Sequence, residues 1–68
     1  MTLEEIEIKS GLSHISINLY EKEGLISSYK KNGITYYDKN ILATLEKIKI
    51  LRDLNFSLDT IKKILKLM

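Results

Sequence analysis

Apolar residues recur at helical spacing in four stretches of this chain, and the middle of the chain breaks that rhythm once. Thr2 opens the first stretch, in which Leu3 and Ile6 face inward and Glu4, Glu5 and Glu7 populate the opening turn. Carboxylates there suit the positive end of a helix dipole. Glu5, third after Thr2, completes a capping box, and Ser10-Gly11 closes the helix. Leu12 sits in a tight turn before Ser13, whose hydroxyl can accept from the free N–H groups of a second helix. That helix runs from Ser13 to Glu23 and stops at Gly24, where a left-handed residue costs glycine nothing. On its wheel Ile17 and Tyr20 fall together and, with Leu12 and Leu25, form the buried side. His14, Ile15, Asn18, Leu19 and Lys22 lie on the other side. Two helices joined by so short a turn, with Gly in it, match the helix-turn-helix signature.

The period then changes. Leu25-Ile26-Ser27-Ser28-Tyr29 and Ile34-Thr35-Tyr36-Tyr37 are β-branched or aromatic runs, linked by Lys30-Lys31-Asn32-Gly33. Asn-Gly between such runs is a strong hairpin signal. Strand alternation puts Tyr36 and Tyr37 on opposite faces, one inside and one outside, without saying which. Asp38 is placed to cap a third helix over Lys39–Leu54, with Ile41, Leu45, Ile48 and Leu51 as its core stripe. Asn55 then takes the left-handed position, Phe56 anchors the turn, and Ser57 caps a fourth helix. Its inner face is Leu58, Ile61, Leu65 and Met68, with Ile64 alongside and Lys62, Lys63 and Lys66 outside. The expected fold is therefore mainly α: a winged helix-turn-helix of about four helices, with a two-stranded wing between the second and third.

Composition narrows the picture. Sixty-eight residues, 44% hydrophobic and 29% charged, make one small domain. A chain of this size buries only about 60% of its unfolded surface, so its core is thin. There is no Cys, which excludes disulfides and thiolate ligation and fits a reducing cytoplasm. The acidic start, MTLEEIEIKS, is no signal peptide, and no run approaches the roughly 20 apolar residues of a membrane span. The expected location is the cytoplasm. Eleven basic residues against nine acidic ones leave +2, compatible with nucleic acid without requiring it. Enzyme chemistry fails on inventory. No glycine-rich phosphate loop and no nucleophile in a recognisable setting occur, and a lone His14 without Cys makes no usual metal site. No cofactor is expected.

Taken together, TLEEIEIKSGLS, SINLYEKEGLI, NGITYY and LRDLNFSLDTIKKIL resemble the DNA-binding domain of the MerR family of bacterial transcription regulators. The likeness covers essentially the whole chain. It implies a regulator, or an accessory factor of a mobile element, that reads double-stranded DNA with its second helix and grips it with the wing. Three positions, two in the second helix and one in the wing, depart from the family pattern. Asn18 and Leu19 stand where members usually carry Arg and an aromatic residue, and Thr35 stands where the wing strand usually carries Arg. Arg52, the one Arg, falls in the core-facing sector of the third helix, which suggests a packed stem and a carboxylate partner. The family's long dimerising helix and effector-binding domain are not visible, so residues 1–68 read as a single domain, or as a piece of a longer chain.

Within that frame Asn18 can pair bidentately with adenine and Ile15 can touch a thymine methyl. Ser16 and His14 can donate to phosphate, as can Lys30, Lys31 and Asn32 at the hairpin. Ser13, Leu19, Lys22, Thr35 and Tyr37 complete the expected contact set. Each has a plainer reading: Asn18 and Ser16 as helix surface, the lysines as a solvated turn, and the tyrosines as cover for a small core. Lys22 is flanked by Glu21 and Glu23, which weaken its field. A domain with so few basic contacts is expected to bind weakly unless copies sit side by side on DNA or a dimerising segment is added. The alternative is a protein-interaction module that kept the fold and lost the DNA grip, using the exposed Ile15/Leu19 pair.

Overall fold

Thr2 begins the first helix, and its spacing from Glu5 has the expected consequence. In the computed structural model, which describes residues 1–67, the Thr2 hydroxyl accepts from the Glu5 N–H at 3.2 Å. The Glu5 carboxylate in turn accepts from the Thr2 N–H. That backbone bond first, and then a second donated to the carboxylate by the Thr2 hydroxyl at 3.2 Å, hold the Glu5 carboxyl below its usual range. Helix α1 (Leu3–Ser10) ends at Gly11, at φ +74°. A side chain there would meet Lys49 Nζ at 3.4 Å, because Lys49 donates to the Ser10 carbonyl at 3.0 Å. A cation thus closes the negative end of α1.

Ser13 caps α2 (His14–Lys22) by accepting from the Ser16 N–H at 3.2 Å. At the other end the Gly24 N–H donates to Glu21 and the Leu25 N–H to Tyr20, the paired bonds of a Schellman ending. The same pairing recurs at Asn55, at φ +68°, whose N–H donates to Arg52 while that of Phe56 donates to Leu51. The left-handed role expected of Asn55 is therefore met. Ser57 caps α4 (Leu58–Lys66) by accepting from the Thr60 N–H.

The wing is shorter than its sequence suggests. Strands β1 (Tyr29–Lys31) and β2 (Ile34–Tyr36) pair antiparallel, with Tyr29 opposite Tyr36, Lys30 opposite Thr35 and Lys31 opposite Ile34. Only Asn32 and Gly33 form the loop, at φ +54° and +78°, the two positive values of a type I′ turn. Lys30 and Lys31 thus belong to the strand and alternate across it. Leu25–Ser28 does not pair, because the chain leaving α2 turns Ile26 into the core. Beyond β2, Tyr37 exchanges both of its backbone hydrogen bonds with Met1, each at 2.6 Å, and Thr2 bridges to Tyr36. The N-terminus lies along the wing strand, which no periodicity argument foresaw.

Helix α3 (Ile41–Asp53) starts two residues later than expected. Asp38 still organises the entry: its carboxylate accepts from the Asn40 N–H at 3.0 Å, and its carbonyl accepts from Ile41. Asn40 itself occupies the cap without a side-chain bond. An aspartate turn runs into the helix here in place of a simple cap.

Helix α1 packs on α2 and α3, and α3 on α4. Ile6, Ile17, Leu45, Ile48 and Ile61 are fully buried where the four helices meet, joined by Tyr20, Ile26 and Tyr37. Ile41, Leu51, Leu58 and Leu65 flank this cluster, as the stripe predicted. Met68, expected on the same face, lies outside the described residues. Phe56 follows the α3–α4 turn, its N–H closing the Schellman pairing and its side chain 38% exposed, outside the core cluster. One expectation is corrected. Arg52 is also exposed, and no carboxylate among the described residues approaches it within 4 Å. The stripe through Leu45, Ile48 and Leu51 carries Arg52 past the core's edge. No helix among the described residues is long and apolar enough to cross a membrane.

Candidate nucleic-acid interface

The core takes Ile17 and Tyr20 from α2, and five of the remaining side chains of that helix are left facing out. His14, Ile15, Asn18, Leu19 and Lys22 form that outer face, with Ile15 70% and Leu19 42% exposed. Ser16 is half-buried at the edge, receiving a hydrogen bond from the Ser13 hydroxyl at 3.3 Å. Ser13 is thereby engaged as a cap through both its bonds. His14 leans back toward α1, with Nδ1 3.3 Å from the Glu7 carboxylate. Asn18 and Lys22 make no side-chain hydrogen bond or ion pair among the described residues.

Lys22 is less hampered by its neighbours than its sequence position suggests. Glu21 turns toward the wing, where its carboxylate accepts from the hydroxyls of Ser28 at 2.8 Å and Tyr37 at 2.9 Å. Glu23 pairs with Lys62 of α4 at 3.1 Å, so Lys62 joins two helices instead of simply covering the outside of its own. Both carboxylates beside Lys22 are thus committed away from the outer face of α2.

On the wing, Lys30 and Thr35 share one face, and Lys31 shares the other with Ile34. Lys30, Lys31 and Asn32 are all exposed, and Thr35 is half-buried. The Tyr29 and Tyr36 rings stack with centroids 6.0 Å apart. Tyr37 is the inside ring: it is 2% exposed, and its hydroxyl is spent on Glu21. Its place in the expected contact set is corrected accordingly, because a side chain that completes the core has no surface to offer. Burial, and then the Glu21 carboxylate, push its phenol up to about 12. Among the described residues no three His, Cys, Asp or Glu side chains gather as metal ligands would.

Sequence reasoning missed one feature of the site, the role of Glu21, whose two hydroxyl partners lie seven and sixteen residues further on.

Two short helices across a Gly turn, then a hairpin wing and two packed helices, define a winged helix-turn-helix protein. The family described as MerR HTH family regulatory protein matches residues 1–67, and the chain belongs to it. It is 39% identical over 69 aligned positions to an uncharacterised HTH-type transcriptional regulator of Pseudomonas aeruginosa, covering 98% of this chain and 52% of that protein. It is equally similar, at 39% over 69 positions, to the HTH-type transcriptional regulator HmrR of Sinorhizobium medicae, covering 98% of this chain and 47% of the relative. The chain spans about half the length of these curated relatives.

Proposed function

We propose that the chain binds double-stranded DNA as a sequence-reading transcription regulator, with α2 in the major groove and the wing on flanking phosphates. The observation that carries this reading is the outer face of α2. It presents Ile15, Asn18, Leu19 and Lys22 to solvent, while both carboxylates next to Lys22 are engaged elsewhere. Asn18 is suited to an adenine edge, Ile15 and Leu19 to thymine methyls, and Lys22, Lys30 and Lys31 to phosphates. Ser13, His14 and Ser16 at the helix start, with Asn32 and Thr35 on the wing, complete the surface. A single domain with so few cations binds weakly, and side-by-side copies raise its avidity without new contacts.

The test is an amide chemical-shift titration with generic duplex DNA at low and then moderate salt. Shifts confined to His14–Lys22 and Lys30–Thr35, fading as salt rises, are expected. No shifts at low salt, where even weak phosphate contacts register, would overturn the reading.

The exposure of Ile15 and Leu19 favours a second reading, a protein-docking face. Replacing both by Ser separates the two. Loss of DNA binding assigns the pair to the groove. Loss of a protein partner or of self-association, with DNA binding intact, assigns it to docking.

A further inference from the structure

Glu21 occupies the last turn of α2, where a carboxylate faces the negative end of its own helix. The two partners that hold it there come from the two legs of the wing, at its open base. Ser28 immediately precedes β1 and donates to one oxygen; Tyr37 immediately follows β2 and donates to the other. Among the described residues, no other side-chain hydrogen bond or ion pair joins α2 to the wing or its flanks. We propose that Glu21 is a positioning residue: one carboxylate clamps both legs of the wing to α2 and so sets the attitude at which helix and wing meet DNA together. The proposal rests on the DNA-binding reading above, and it adds a residue that touches no nucleic acid.

Charge alone and the clamp predict opposite signs. Removing a negative charge from a DNA-binding surface strengthens attraction to phosphate. Removing the clamp weakens binding, because the wing must then be ordered at the moment of association. In E21A the clamp is removed, and affinity for duplex DNA at fixed low salt is expected to fall about tenfold, the effect of losing hydrogen bonds to a charged group. Y37F frees one leg while keeping the buried ring, and it is expected to fall by less. E21Q can keep both bonds, since its carbonyl accepts from one hydroxyl and its amide donates to the other, so with the clamp kept and a negative charge removed it is expected to bind at least as tightly as the unaltered chain.

Backbone amide relaxation of Lys30–Thr35 in the free protein supplies the readout that a change of overall stability would not move. Those amides gain mobility in E21A and Y37F, while the amides of α1 and α3 do not. Equal or tighter DNA binding by E21A, an unaltered wing in E21A, or E21Q as weak as E21A would each overturn the clamp. If the unaltered chain fails to bind duplex at all, the DNA reading falls, and the positioning role falls with it. The free-protein wing measurement then still tells whether Glu21 holds the hairpin.

Discussion

Tyr37 carries consequences larger than its size because it joins three parts of the molecule. Its ring fills the core, its backbone pairs with Met1, and its hydroxyl donates to Glu21. Replacing it with Phe keeps the packing and leaves a half-buried carboxylate short of one donor, which is expected to cost about 1–2 kcal/mol at neutral pH. The pH dependence follows from the raised phenol. Folding holds the Tyr37 proton up to about 12 against an ordinary value of 10.0, so its contribution is complete below pH 10. It disappears as pH rises through 12. The stability gap between the unaltered chain and Y37F, followed by urea unfolding, should therefore be flat below pH 10 and narrow above it. Lysine titration affects both proteins and cancels in the difference. A gap that stays constant to pH 12 would contradict the raised phenol, and with it the burial of the ring first and the Glu21 bond second.

At the scale of the elements, helix ends and the hairpin turn obey local rules, and the wing shows where those rules stop. Gly33 sits at φ +78° with open space where a side chain would stand. Gly33→Ala therefore carries only the backbone penalty of a left-handed residue, about 1–2 kcal/mol. A domain of this size should lose roughly 4–8 °C of melting temperature per kcal/mol, a shift that circular dichroism can follow. An unchanged melting temperature would mean that the wing folds independently of the helical core. The caps at Thr2, Ser13 and Ser57 and the left-handed Asn55 were legible because each depends on residues within three or four positions. The length of β1 was not, since Ile26 entering the core and Met1 pairing with Tyr37 compete with strand extension from far along the chain.

For the whole molecule, a net charge of +2 conceals an uneven arrangement. Glu21 and Glu23 are bound to the wing and to α4, while Lys22, Lys30 and Lys31 have no acidic partner among the described residues. Of the two carboxylates beside Lys22, only Glu23 is offset by a cation, Lys62, while Glu21 keeps its charge and is turned toward the wing. Replacing Lys30 and Lys31 with Glu should weaken binding to all duplex sequences alike, because phosphate contacts carry no sequence information. The slope of log affinity against log salt should shrink by about 0.9 for each phosphate that is no longer neutralised. Equal affinity and slope in the double mutant would remove the wing from the interface.

The number and order of the helices, the caps of α1, α2 and α4, the Asn-Gly turn and the outward side of α2 follow from the linear chain. They depend on side-chain periodicity and on hydrogen bonds between near neighbours, both of which are written there. Folding in three dimensions was needed to choose Tyr37 over Tyr36 as the core ring, to leave Arg52 in solvent, and to turn Glu21 and Glu23 away from Lys22. Each of those outcomes depends on a partner brought close by folding, and burial and pairing are properties of that proximity.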